Sequence, residues 1–388
     1  MHKTTPIKLA LQGANVLTPT GWLPDATVLI DQGRFVSVDQ QTKPSGYVAI
    51  DVTGFNMLPG IVDIHGDAFE RMICPRPGVS FPLEMAIAEN DRTLLAAGIT
   101  TFFYSITDSF EPGLRSRDTV RQVIELVLND PTRLQVDSRI HVRHEQGNTA
   151  DHEELCDWLK NGKIHLLSLN NHLPPTLDDE TLARYTKGLR QRVKLSDAEI
   201  RALITAAVEQ QDEGLQQLDR LVAIAHQNQI PVASHDDETE ADVALSQKRG
   251  VAIAEFPASI PLAARSQDYG AAVLMGAPNL VRGGSHVGYM SVADAAQAGV
   301  VDCLCSDYHY PSLFNAPFKL ADLGLMPFET AWQMVSTHPA HAAGIGDRKG
   351  AITTGLDADF LLVKPTCSLP SAIASVYIQG QEVAKYGS

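Results

Sequence analysis

Between residues 60 and 307 the chain alternates short apolar runs of β character with helical stretches, and this alternation restricts the fold more than any other feature. The runs fall at 60–65, 99–105, 139–145, 165–170, 230–235, 251–256, 271–275 and 301–307. Helical patterns intervene, for example at 83–97, 118–128, 197–227 and 292–298. A strand that returns through a helix runs parallel to the strand before it. Such units continued over about 250 residues close into a parallel barrel with its helices outside. The expected class is α/β, a (β/α)8 TIM-like barrel.

The two ends read differently. Short strands are expected at 9–17, 26–31 and 34–38, separated by the turn signals Pro19-Thr20-Gly21 and Asp31-Gln32-Gly33. Runs at 359–363 and 374–378 match them in character. Neither end can bury a core alone, so both are expected to pair into one small β-sandwich domain. The implied division is 1–58 plus 350–388 for the β-domain and 59–349 for the barrel. The polar stretch 174–196 reads as an excursion above the barrel, mobile or closing over a substrate.

Composition excludes several function classes. The 388 residues carry a formal net charge of −15, from 31 Lys and Arg against 46 Asp and Glu. No basic block stands out, which argues against a nucleic-acid partner, because phosphate neutralisation dominates that affinity. No apolar stretch reaches the roughly 18 residues of a membrane span, and the N-terminus lacks the apolar core of a secretory signal. The five cysteines are scattered, without a Cys-x-x-Cys pair, as in a reduced cytoplasmic protein. A homo-oligomer is left open.

Polar residues collect where the apolar runs end. His65 and Asp67 close the stretch Leu58-Pro59-Gly60-Ile61-Val62-Asp63-Ile64-His65-Gly66-Asp67, and alternate side chains of a strand share a face. His144 and Glu145 end the third run, His172 follows the fourth, His235 and Asp236 the fifth, Glu255 the sixth and Asp307 the eighth. In a parallel barrel those ends surround the active site. Imidazoles and carboxylates converging there suit one or two divalent cations, zinc first, with manganese or iron as alternatives. His144 is the weaker ligand, because a neighbour of Glu145 on a strand points elsewhere.

These strings resemble the amidohydrolase superfamily, and within it the PhnM family of phosphonate catabolism, the alpha-D-ribose 1-methylphosphonate 5-triphosphate diphosphatases. The likeness is carried by Asp63-Ile64-His65-Gly66-Asp67 with Glu70-Arg71, residues 75–79 and 233–239, Glu255-Phe256-Pro257, Gly276-Ala277-Pro278-Asn279 with residues 282–286, and Ser306-Asp307-Tyr308. It implies metal ligands at His65, Asp67, Glu145, His172, His235 and Asp307, with Asp307 also catalytic as the proton shuttle. It implies hydrolysis at the α-phosphorus of a ribosyl triphosphate, releasing diphosphate and leaving a 5-phosphate.

A small phosphorylated substrate needs concentrated positive charge or forked donors. Candidates for substrate binding are Arg71, Arg76, Arg143, Arg282 and Lys319, together with Glu255, Ser285 and His286, while backbone N–H groups at Gly283 and Gly284 can cradle an anion. Arg190 and Arg192 in the polar excursion are further candidates. The sequence departs from the family pattern at Asn171-His172, after His286 and after Asp307, where sugar or leaving group would be contacted. Two other functions stay open: an amidohydrolase acting on a C–N bond, as a deaminase or cyclic amidase, and a non-catalytic barrel that keeps its metal site.

Overall fold

The structure is a computed structural model and is described for residues 8–39, 45–76, 78–129, 133–190, 192–284, 288–365 and 372–387. All eight expected runs form strands: β6 (Ile61–Gly66), β7 (Ile99–Asp108), β8 (Asp137–Glu145), β9 (Leu166–Asn170), β10 (Val232–His235), β11 (Ile253–Glu255), β12 (Ala272–Gly276) and β13 (Cys303–Cys305). They are numbered after five strands, β1 to β5, described below. Each pairs in parallel with the next in chain order. The ring closes beyond β13, where Asp307 N donates to the His65 carbonyl and Asp67 N to the Asp307 carbonyl, both at 3.0 Å.

Burial explains why these strands read as continuous apolar runs. All ten residues of β7 are buried, as expected of a parallel strand covered on both faces. Val62, Phe103, Leu166, Ala233, Ile253, Leu274 and Cys303 share one apolar cluster. Strands that are not neighbours can meet in this way only across the barrel interior. Ala340, Ala343 and Ile345 join that cluster. A second, larger cluster fills the layer between strands and outer helices.

Helices start where local chemistry satisfies their first N–H groups. Ser116, Ser196, Thr239 and Ser291 each accept from a backbone N–H of the first turn, and such caps contribute about 1 kcal/mol apiece. Where one helix reads across 197–227, the structure has two, Asp197–Glu209 and Gln211–Gln227. The polar excursion also contains a helix, Asp179–Arg190, with Leu182, Thr186 and Leu189 buried at i, i+4 and i+7. It packs on Asp197–Glu209 through Leu182, Leu189, Val193, Ile200 and Ile204. No helix among the described residues is long and apolar enough to cross a membrane.

The chain ends combine in one hydrogen-bonded sheet. It contains β1 (Leu9–Thr18), β2 (Gly21–Asp31), β3 (Arg34–Asp39), β4 (Val48–Asp51), β5 (Asn56–Pro59), β14 (Phe360–Val363), β15 (Ile373–Ile378) and β16 (Gln381–Lys385). Of these, β4 and β16 escaped the pattern reading because they are short and partly exposed, and β5 because it is only four residues long and runs into β6. The sheet encloses its own apolar core, with Leu11, Val28, Phe35, Met57, Phe360 and Tyr377 among its members. At the joint with the barrel, the buried Lys349 ammonium lies 2.6 Å from Asp359, 3.2 Å from Asp137 and 3.4 Å from Asp357.

Candidate active site

Three barrel strands end in residues with left-handed backbone: Asp236 after β10, Phe256 after β11 and Asp307 after β13, with φ of 55°, 55° and 53°. Such angles are uncommon outside glycine and cost energy that the surrounding structure must offset. At the end of β12 sits Gly276, where a Cβ would lie 3.1 Å from Asp307 Oδ2. Glycine there leaves room for the Asp307 carboxyl.

Glu255 organises the imidazoles. It is fully buried, and its Oε1 lies 2.9 Å from His65 Nδ1 while its Oε2 lies 3.0 Å from His235 Nδ1 and accepts from Ser168 Oγ at 2.9 Å. Both histidines are therefore held by Nδ1, so their Nε2 atoms face away from Glu255, and that of His235 already meets the Arg143 guanidinium at 3.1 Å. Their rings stack with centroids 5.5 Å apart. Expected as a substrate contact, Glu255 places both oxygens on side chains of β6, β9 and β10, since it is the register partner of His235 on the adjacent β10 and points into the barrel interior toward His65 and Ser168. Burial opposes its charge, yet His65 and His141 hold its carboxyl well below the usual range.

His141, in the middle of β8, was not singled out from sequence. Its Nδ1 lies 3.0 Å from both the Ile64 carbonyl and Ser105 Oγ. Burial lowers its pKa to about 3, so the ring is neutral. With Nδ1 donating to Ile64, Nε2 is an acceptor that faces Glu255 Oε1 at 3.7 Å and has no hydrogen-bond partner. The signal was present in the alternation Glu145, Arg143, His141, which places all three on one face.

Asp307, His65, His235, Arg143 and Tyr308 line a cavity of about 190 Å³ at the barrel mouth. Burial, and then the like charge of Asp67, push the Asp307 carboxyl up to about 7. The Arg143 guanidinium reaches into the acidic cluster, with Nη1 3.2 Å from Asp67 Oδ2 and Nη2 3.1 Å from His235 Nε2. Burial, reinforced by Arg143, lowers the pKa of His235.

Glu145 and His172, both expected as metal ligands, are hydrogen-bonded to each other in this structure. His172 Nδ1 lies 2.6 Å from Glu145 Oε1, and His172 N donates to Oε2 at 3.1 Å. Burial works against a charge on His172, yet Glu145 and Asp236 outweigh it and raise its pKa to about 9. Of the six expected ligands, His65 and His172 each lie with ring centroids 5.5 Å from that of His235, and Asp307 lines the same cavity as His65 and His235. Two sets of three can each hold an ion among the described residues, His65 with His141 and Glu255, and His172 with His235 and Asp236. His144 points away from the site, as its place on the strand implies, and lies 2.6 Å from Asp108 in a buried network with Arg117.

Of the expected phosphate-binding residues that are described, Arg143 alone lines the cavity. Arg71 donates to the Tyr308 carbonyl, and Arg282 Nη1 donates to the Tyr308 hydroxyl at 2.9 Å; both sit exposed at the rim. Arg76 is exposed in a turn where its carbonyl accepts from Val79 N. Lys319 is exposed in the last turn of Tyr310–Asp322. With about 1.5 Å of rise per residue, that helix carries it away from Asp307. Ser285 and His286 lie outside the described residues.

The residues present fit a divalent cation. The donors are imidazole nitrogens and carboxylate oxygens, the set borderline ions prefer. His141 Nε2 and Glu255 Oε1, two acceptors facing one another, are relieved by a cation. The guanidinium beside Asp67 shows that the cluster already attracts positive charge.

Comparison with known proteins identifies the family. The family model described as "Amidohydrolase family" matches residues 56–383. The chain is 32% identical over 325 residues to the alpha-D-ribose 1-methylphosphonate 5-triphosphate diphosphatase of Escherichia coli (strain K12), covering 81% of this chain and 84% of that one. Among solved structures, a Xaa-Pro dipeptidase with bound methionine superposes with a TM-score of 0.67 at 13% identity, covering 97% of this chain and 100% of its own. The dihydropyrimidinase of Brevibacillus agri superposes at 0.61 with 15% identity, covering 98% and 95%. These two likenesses concern the fold. By the extent of the family match and the identity to the diphosphatase, the chain belongs to the amidohydrolase family and is a hydrolase.

Proposed function

We propose that this protein hydrolyses alpha-D-ribose 1-methylphosphonate 5-triphosphate, or a close phosphorylated relative, to the 5-phosphate and diphosphate. The observation that carries the reading is the 32% identity to the Escherichia coli diphosphatase across most of both chains. Arg143 adds a chemical reason, because a guanidinium beside the acidic cluster suits an anionic phosphoryl group better than a neutral amide. His65, Asp67, His235 and Asp307 are the residues we assign to the cation, with Glu255 fixing the two imidazoles and His141 as a further donor. A zinc, manganese or iron ion held there supplies Lewis acidity and lowers the pKa of coordinated water.

The chain's own groups do the rest. Asp307, on the wall of the cavity beside His65 and His235, is the group we assign to take a proton from the attacking water. The bond from water oxygen to the α-phosphorus forms as the bond to the bridging oxygen of the leaving diphosphate breaks. Asp307 then returns its proton during that cleavage. Arg143 balances the charge that gathers on the phosphoryl oxygens. Tyr308, clasped by Arg71 and Arg282, borders the space for the sugar. The setting we assign is the cytoplasm, in keeping with the unpaired Cys74, Cys156, Cys303 and Cys305.

A second reading, attack on a C–N bond, draws on the dipeptidase and dihydropyrimidinase among the structural neighbours. Incubating metal-loaded protein with the ribosyl triphosphate and, separately, with dipeptides and heterocycles separates the two. Release of diphosphate supports the proposal. Ammonia or amine release without diphosphate overturns it, and no product from any substrate favours the non-catalytic barrel.

A further inference from the structure

A second and larger cavity, about 500 Å³, lies between the barrel mouth and the helices Asp179–Arg190 and Asp197–Glu209. Four arginines from four segments face it: Arg115 after β7, Arg143 on β8, Arg184 within Asp179–Arg190, and Arg192 beyond that helix. Two carboxylates share the space, and both are engaged. Glu111 takes a two-pronged contact from Arg192 at 2.7 and 3.0 Å, and Glu145 is bound by His172. Arg115 pairs with Glu70 at 2.9 Å. Donors remain: the buried Nε atoms of Arg115 and Arg143 have no hydrogen-bond partner, and Arg184 has no carboxylate partner among the described residues. Arg143 also lines the smaller cavity beside Asp307, so one guanidinium touches both spaces.

We propose that this arginine-lined cavity binds the diphosphate end of a phosphorylated substrate, with Arg143 at the junction and Arg184 and Arg192 as specificity-determining residues on the helical roof. The inference rests on the diphosphatase reading, whose substrate must extend a polyanion away from the scissile phosphorus. A cavity of this size accommodates a small molecule. Guanidinium groups match phosphate oxygens in geometry and retain their charge. A neutral heterocycle or dipeptide gives no reason to gather four arginines around one space. The roof is a separate excursion from the barrel with its own small core, so substrate selection can vary there without disturbing the strand ends.

The test is calorimetry on full-length, metal-loaded protein with inorganic diphosphate and inorganic triphosphate as probes and inorganic phosphate as the comparison. Arg184→Ala leaves the Glu111–Arg192 pair intact and removes an exposed side chain, so the roof keeps its packing. We expect it to weaken diphosphate binding about tenfold, the scale of one charged contact. Arg192→Ala should weaken binding at least as much. Lys187→Ala changes a cation of the same helix that does not line the cavity, and should leave affinity within about twofold. No diphosphate binding by the unaltered protein, equal affinity in all variants, or an equal loss in Lys187→Ala overturns the proposal. Arginine-dependent diphosphate binding without diphosphate release from the ribosyl triphosphate would sink the assigned reaction and leave the anion cavity standing. Release with unaltered KM in Arg184→Ala and Arg192→Ala would do the reverse.

Discussion

The guanidinium of Arg143 donates from Nη1 to Asp67 Oδ2 at 3.2 Å, placing a fixed positive charge among the residues assigned to a cation. In the metal-free protein this charge offsets repulsion between Asp67 and Asp307, the like-charge effect that helps raise the Asp307 pKa. The Arg143→Met variant should therefore destabilise the stripped protein by about 1–3 kcal/mol, the scale of leaving a buried charged group without its partner. The loaded protein should lose less. Thermal melts of both variants with and without metal check this, and an equal loss in the two states would remove the guanidinium from that role.

Asp307→Asn should cut turnover by about 10²–10⁴-fold, the usual worth of a positioned acid–base group, while the protein still retains metal. Elemental analysis beside a diphosphate-release assay provides both readouts. Normal turnover would refute the proton-shuttle assignment.

The raised pKa of Asp307 also predicts a pH dependence of stability in the stripped protein. A carboxyl raised from 3.8 to about 7 on folding binds its proton more tightly in the folded state than in the unfolded chain. Its contribution is thus fully present below about pH 4 and is lost as pH climbs through about 7. The melting temperature of the unaltered protein relative to Asp307→Asn should fall across that window. A difference that is flat with pH would contradict the shift.

Glu255→Gln keeps the shape of the side chain but cannot accept from both imidazoles through charged oxygens. Outer residues that hold metal-binding histidines typically contribute 10- to 100-fold, roughly, in metal affinity. A loss of that size is expected in a competition titration against a chelator, with little change in fold by circular dichroism. Unchanged metal affinity would detach Glu255 from the site.

Lys349, at the joint of sheet and barrel, is buried among Asp137, Asp357 and Asp359. Removing its charge leaves three carboxylates facing one another, so Lys349→Ala should destabilise by about 3–5 kcal/mol. Activity should survive at temperatures well below the lowered transition. Chemical unfolding checks the magnitude, and a loss under about 1 kcal/mol would mean the carboxylates relax apart.

Much of the site's address was legible in the chain. Runs such as 99–105 and 139–145 announce strands because burial on both faces demands apolar side chains in succession, and His65, His235 and Asp307 follow such runs. The short β4 and the half-exposed β16 carry no comparable signal, since neighbours across the sheet supply their stability. Helix Asp179–Arg190 was hidden by its polar face, although Leu182 and Leu189 mark its buried side.

What the sequence by itself determined is therefore the barrel, the mouth at which chemistry gathers, and the kinds of side chain brought there, because periodicity and residue type are local properties. Only the tertiary structure decided who partners whom. Glu255 clasps His65 and His235, His172 turns to Glu145, and Arg143 joins two cavities because closing the ring brings β6, β8, β10 and β11 within hydrogen-bonding reach. Such contacts span 190 residues in the case of His65 and Glu255, a separation across which no local pattern carries information.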